Sequence, residues 1–402
     1  MATAVRPAHP VQPVQPVQPA LASSPSRSHS LPRRFPSLRH LGPNWYAPVM
    51  GTAIVASAGA GLPLDLPGPR TACTAVWALA LVALVAVLGA RALHWIHHRD
   101  RARADLLDPA VAPFHGCLSM ALLAVGGGAL VVGRDWIGLR AAVVLDVVLF
   151  SVGTVVGLAA AVVVPYLMIV RHRIDADRLT PALLLPLVAP MVSAALGPLL
   201  VPYLPPGQAR QTLLFGCLAL FGLSLLATLV VLPAVCGRLV AAGPLPLALT
   251  PSLFLVLGPL GQSTTAGGNL ADAAPGAVPA PYAHAFTPFA VLYGVPVLGF
   301  ALLWLALAAA LVVRARRRGM RFSMAWWAFT FPVGTCATGA TALARHTGLA
   351  ALDVLAVALY ALLLAAWATA AVCTVRGLVS GGLLAAPRPA PAEPRPATAR
   401  TR

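Results

Sequence analysis

Six hydroxyl side chains, Thr52, Ser193, Ser263, Thr264, Thr330 and Thr335, lie in stretches that are otherwise largely apolar. A hydroxyl in that setting has two uses. It can donate to a partly dehydrated anion in a lumen, or it can bond back to its own helix, the usual fate of Ser and Thr in apolar helices. Both stay open at these six positions. His115 is of the residue type that titrates near neutral pH and binds anions when charged, and it reads equally well as an interfacial histidine with no function. Asp353 begins an apolar stretch and Asp146 falls one turn into another, where a carboxylate is favourable beside a helix amino terminus, so both read as structural rather than as a proton relay. His94, His97 and His98 flank an arginine-rich loop without acidic or cysteine partners, so no metal site is expected and the loop reads as solvated.

Covalent chemistry has little to work with. Intramembrane transferases and hydrolases need clustered carboxylates, a histidine box or a nucleophile with its base. The chain has a single Glu, Glu393, and no such cluster in its apolar stretches. No catalytic residue, cofactor or metal is expected. Cys73, Cys117, Cys217, Cys236, Cys336 and Cys373 fall in or near separate apolar stretches with no CxxC pair, and each reads as a small buried hydrophobe.

The elements that must hold these residues are set by composition. Of 402 residues, 59% are hydrophobic and 10% charged, with a mean hydropathy of +0.83. A soluble domain averages about 25% charged residues, so this composition cannot cover a water-facing surface. The expected class is an all-α integral membrane protein. The net charge of +17 comes from arginine alone, placed mostly between apolar runs and in the tails. That pattern is orientation charge at a bilayer surface. No basic helix interleaved with aromatics points to nucleic acid.

Ten apolar stretches predict ten spans, at 45–64, 72–95, 113–132, 142–168, 182–203, 212–236, 248–270, 287–313, 323–345 and 350–375. Residues 1–41, with their VQP repeat, read as a disordered tail, 42–378 as one membrane domain, and 379–402 as a second disordered tail. With both termini cytoplasmic, 23 arginines lie inside and five outside, namely Arg70, Arg134, Arg140, Arg210 and Arg345. This obeys the positive-inside rule for a multi-pass protein.

The ten spans fall into two kinds. In 20-residue windows, Pro, Gly, Ser, Thr, Asn and Gln total 39 in 100 residues of the odd-numbered spans and 13 in 100 of the even-numbered ones. Lipid accepts plain Leu, Val and Ala helices, whereas kinks and hydroxyls are tolerated against protein or a water-filled cavity. The odd helices are therefore expected inside, parallel around a central pore, and the even ones outside. Prolines mark the odd spans as kinked: Pro48, Pro113, Pro186, Pro190, Pro198, Pro251, Pro259 and Pro332. Acidic side chains are almost absent from them, which speaks against a cation pathway.

Four motifs on the odd spans carry a resemblance: GPNWYAPVMGTAIVA at 42–56, SMALLAVGGG at 119–128, PSLFLVLGPLGQSTTA at 251–266 and WWAFTFPVGTCATG at 326–339. Across residues 41–378 the chain resembles the tellurite-resistance and dicarboxylate transporter family, which takes in TehA-like proteins, fungal malate permeases, sulfite efflux pumps and plant slow anion channels. The resemblance implies a homotrimer in the plasma or inner membrane, each protomer having five helical hairpins around its own five-helix pore. It implies small inorganic or organic anions as the transported species, in the class of C4-dicarboxylates, sulfite, nitrate or chloride. Matching WWAFTFPVG places the family's pore-occluding phenylalanine at Phe331, with Pro332 setting its angle. A bulky apolar ring there would block hydrated ions by filling and dewetting the lumen. The sequence departs from the family pattern at Ala53, where many relatives have Gly, and at FHGCLSM, 114–120, where a Gly-Ala-Pro pattern is usual. The other function classes left open are a nonconducting membrane sensor or scaffold and, less favoured for want of a residue cluster, an intramembrane enzyme.

Overall fold

The computed structural model describes residues 36–63, 68–171, 179–381 and 383–384. Most of both predicted tails lies outside these residues. Among the described residues every regular element is helical: α1 (Tyr46–Ala60), α2 (Pro69–His97), α3 (Arg99–Leu107), α4 (Gly116–Gly128), α5 (Arg134–Ile137), α6 (Leu139–Arg171), α7 (Leu184–Leu196), α8 (Gln208–Ala242), α9 (Leu257–Ala273), α10 (Ala280–Arg317), α11 (Phe331–Thr347) and α12 (Ala350–Val379). Seven helical segments are long and apolar enough to cross a bilayer. The stretches containing α1, α9 and α11 are not among the seven. Their α-helical parts are 15, 17 and 17 residues long, and 3-10 turns precede them at Pro43–Trp45, Thr250–Val256 and Met324–Phe329.

Burial separates two kinds of helix. In the apolar windows of α2, α6, α10 and α12, 22% of residues are buried within the protein, and in α8 28%, whereas Ala112–Ile137 and Pro181–Tyr203 reach 89% and 83%. The buried helices pack in the cyclic order α1, α4, α7, α9, α11 and back to α1. Each also packs most extensively against the exposed helix that follows it in the chain, α1 with α2, α4 with α6, α7 with α8, α9 with α10 and α11 with α12, and less extensively against a second one. Exposed Leu and Val cover the outer helices, among them Val82, Val155, Leu226, Leu292 and Val354, as a lipid-facing surface requires.

Indoles tie the outer helices to the inner ones. Trp77 of α2 donates to Val125 O (3.0 Å), Trp304 of α10 to Leu253 O (2.9 Å) and Trp367 of α12 to Thr52 Oγ1 (3.0 Å). The inner helices approach closely where glycine leaves room. A Cβ on Gly261 would lie 2.5 Å from Cys336 N, and one on Gly116 2.6 Å from Leu185 O. Small residues let helix backbones meet in this way.

Proline acts differently from the interior kinks expected. Four inner segments open as 3-10 turns with proline in the first two positions, Pro43, Pro113, Pro181 and Pro251, and Pro332 holds that place in α11. The missing N–H costs little there, because the first helical amides lack partners anyway. Pro48 and Pro259 also fall at the third residue of their α-helices. Of the predicted kinks only Pro190 lies inside its helix, while Pro165, Pro233, Pro288 and Pro296 lie inside the outer helices α6, α8 and α10. The inner helices instead change type, from 3-10 to α at their starts and from α to π at Ala129–Gly133.

Two further expectations are corrected. Residues 36–41 belong to the folded part: Pro36–His40 is a 3-10 turn, Leu41 is buried, and Arg91 and His94 of α2 bond to Leu41 O and Leu38 O. The histidine-rich loop is not simply solvated, since it folds into α3, with Ala102 and Asp105 buried beside the buried rings of His94 and His98. Among the described residues no group of three or more His, Cys, Asp or Glu could hold a metal ion.

Candidate functional site

Two cavities lie along the axis of the inner helices, and Phe331 lines both. The narrow one, about 10 Å³, is bounded by Met50, Met120, Leu184, Leu185, Val188, Leu255, Gly258 and Pro332. Room for one water takes about 10–15 Å³, so this side is closed to a hydrated ion. The wide one, about 210 Å³, draws on later residues of the same five segments, including Ile54, Ser57, Ala124, Leu196, Gln262, Thr265, Asn269, Asp272, Thr338, Thr341 and Arg345. All five segments pass from the narrow cavity to the wide one in chain order, so they run parallel. Phe331, 3% exposed, stands between the two.

The positions facing the axis repeat with helical spacing. On the 3-10 turn and α9 they are Leu255, Gly258, Gln262, Thr265, Asn269 and Asp272, three and four residues apart in turn, and on α11 Phe331, Thr338, Thr341 and Arg345 share a face. The six hydroxyls singled out from sequence lie off these faces. Thr52 donates to Pro48 O (2.7 Å) and accepts from Trp367. Ser193 accepts from Thr154 of α6 at 2.9 Å. Ser263 donates to Leu260 O (3.0 Å) and accepts from Tyr293 of α10 at 2.9 Å. Thr264, Thr330 and Thr335 donate to Leu260 O, Trp327 O and Pro332 O at 3.0, 2.8 and 2.7 Å. None of the six lines either axial cavity. His115 does not line one either; its Nδ1 lies 3.1 Å from Ala112 O. The backbone-bonded alternative describes most of these side chains.

The polar groups that do face the wide cavity were missed, and the spacing from Phe331 would have found those on α11. Ser263 and Thr264 are immediate neighbours of Gln262 and Thr265, but one residue turns a helix by about 100°. Asn269 Nδ2 donates to Ala195 O (2.7 Å). Pro198, three residues beyond Ala195 at the start of the 3-10 segment Gly197–Tyr203, has no N–H to offer that carbonyl. Thr265 and Thr338 meet Oγ1 to Oγ1 at 2.7 Å. At the open end Arg345 Nη2 donates to Asp272 Oδ2 (3.0 Å), and His346 Nε2 lies 3.3 Å from Asp272 Oδ1. Asp146 is corrected too: α6 begins at Leu139, so it falls two turns in, buried, rather than at the helix start. Asp353 lies in the first turn of α12 as expected.

Among the described residues, an all-helical fold with lipid-compatible outer helices around a pair of axial cavities is that of a multi-pass membrane protein. Residues 40–375 match the voltage-dependent anion channel family, and the chain belongs to it. It is 25% identical over 347 residues to an uncharacterized transporter of Methanocaldococcus jannaschii, covering 86% of this chain and 95% of that one. It is also 26% identical over 349 residues to a sulfite efflux pump of Arthroderma otae (84% and 91% covered), and 26% identical over 329 residues to one of Trichophyton rubrum (79% and 86%).

Proposed function

We propose that the chain conducts small anions along the axis of α1, α4, α7, α9 and α11, and that Phe331 is the plug. Ten helices cross the cell membrane as five hairpins with both termini cytoplasmic, assembled as a homotrimer. Sulfite is the leading substrate candidate because two relatives carry that activity in their names; nitrate, chloride and C4-dicarboxylates are the others. The observation carrying the reading is that one buried ring bounds two axial cavities, narrow and apolar on one side, wide and carrying polar side chains among apolar ones on the other. An apolar constriction of that kind gates by excluding water.

Phe331→Ala joins the cavities and removes no side-chain hydrogen bond. Liposomes holding the purified full-length variant should leak chloride, nitrate or sulfite faster than those holding the wild type. Phe329→Ala is the control, since Phe329 packs instead on Phe254 and Trp326, with ring centroids at 4.8 and 5.7 Å. Equal flux in all three proteins would reduce the ring to packing. No anion flux in any of them would leave a nonconducting sensor or scaffold.

A further inference from the structure

The wide cavity holds a buried amide oxygen without a hydrogen-bond partner and, at its open end, a solvent-exposed ion pair. Gln262 is 3% exposed and lines the cavity beside Phe331, yet its Oε1 is buried with no hydrogen-bond partner. Its polar neighbours are already engaged. Thr265 donates to Gly261 O (3.1 Å), Thr338 to Thr335 O (3.0 Å), and Asn269 to Ala195 O. An amide held by nothing can rotate to present either its oxygen or its NH2. A buried polar group left in this state needs a ligand or water to use it. About ten residues further along α9, roughly 15 Å at helical rise, Asp272 and Arg345 close the open end, each with 48% of its side chain exposed. Exposed pairs of this kind shift an equilibrium by no more than about fivefold. Asp272 also has His346 within reach, so Arg345 is its exchangeable partner.

We propose that the wide cavity is a binding site for a small inorganic anion: Arg345 docks it at the open end, Asp272 is the built-in competitor for that guanidinium, and Gln262 receives the anion beside the Phe331 ring. This site rests on the reading of the chain as an anion conduit and adds where the anion waits. An incoming anion exchanges with the Asp272 carboxylate at Arg345. It then gives up water against the Gln262 NH2 before it meets the apolar half. Removing Asp272 should therefore tighten binding, the opposite of what losing a merely structural ion pair would do.

Chloride is the probe, read by broadening of its chlorine-35 resonance in the presence of the purified full-length protein, with nitrate as competitor. Wild type should broaden the line saturably. Asp272→Asn should lower the half-saturating chloride about fivefold, Arg345→Gln should raise it by at least as much, and Arg345→Lys should stay near wild type. Gln262→Leu should remove most of the broadening while the melting temperature holds or rises. Absent saturable broadening in wild type, or unchanged half-saturation in both Asp272→Asn and Arg345→Gln, overturns the site. Flux through Phe331→Ala without saturable chloride binding defeats this site and leaves conduction standing; binding without flux does the reverse.

Discussion

The two sides of Phe331 are built from the same five helices and yet differ about twentyfold in free volume, about 10 against 210 Å³. On the narrow side methionine, leucine and valine meet, and every lining group is apolar or glycine. On the wide side the same helix faces carry an amide pair, hydroxyls and an ion pair. An ion can keep much of its water on one side and must shed it on the other. On the proposed reading of the axis as an anion path, the difference teaches that closure is a matter of dehydration as well as of bulk, with the ring at the border between the two solvation regimes.

The sharpest way to break this comparison is to remove the border. Phe331→Ala should raise anion flux at least about tenfold, a barrier change of about 1.4 kcal/mol, while Phe329→Ala should stay at the wild-type level. If the variant conducts no better, the narrow side alone sets the barrier and the ring is incidental. A second substitution addresses that side. A Cβ on Gly258 would find only Val188 Cγ1, at 3.9 Å, so Gly258→Ala adds a methyl to the narrow cavity without a clash. In the Phe331→Ala background it should cut flux severalfold and leave stability equal or higher by about 0.4–1 kcal/mol. Undiminished flux would place the path elsewhere.

The helix contact that keeps both cavities in register is next in size. Gly261→Ala puts a carbon 2.5 Å from Cys336 N of α11, and backbone cannot swing away as a side chain can. Overpacking of this kind costs about 1–3 kcal/mol, visible as a lower melting temperature in detergent. Thr52→Val should cost less, about 1 kcal/mol, by leaving the Trp367 indole without its acceptor. Flux should not follow, because Thr52 does not face the axis.

Helix positions and the division into buried and exposed helices were legible in the sequence because each apolar stretch is long and its small-residue content alternates. All ten expected stretches contain helix, with boundaries that differ by up to seven residues, as at 280–317 against 287–313 for α10 and 208–242 against 212–236 for α8. Of the residues lining the two cavities, Phe331 and Pro332 were legible as site residues in the sequence, through the resemblance. Residue type alone selected hydroxyls, and a hydroxyl in an apolar helix is drawn to the carbonyl one turn back whichever way the side chain faces. Thr264, Thr330 and Thr335 obey that local pull. Gln262 and Asn269 close no such loop: Asn269 donates across to Ala195 O and Gln262 Oε1 has no partner, so their orientation depends on neighbouring helices, which spacing alone does not reveal. Prolines misled for a related reason: position within the helix decides whether a missing N–H matters, and the helix starts at Phe331 and Leu257 are set by 3-10 turns that composition does not announce.

The smallest expected effect distinguishes adjacent residues. Thr264 and Thr265 follow one another on α9, but only Thr265 faces the wide cavity. Thr264 points its Cγ2 at Gly294 of α10 and Gly339 of α11, 3.2 Å from where a Cβ on either would lie. Thr264→Val keeps that shape and loses only the bond to Leu260 O, so flux should be unchanged and stability should move by no more than about 1 kcal/mol. Thr265→Val instead puts a methyl in the place of a hydroxyl on the cavity wall beside Gln262 and frees Thr338 from its 2.7 Å contact, and should change half-saturation for chloride measurably while stability changes as little. Should Thr264→Val alter anion flux and Thr265→Val leave it untouched, the conducting face of α9 would be rotated by about 100°. Gln262, Asn269 and Asp272 would then no longer line the path, and the contrast between the two sides of Phe331 would describe packing alone.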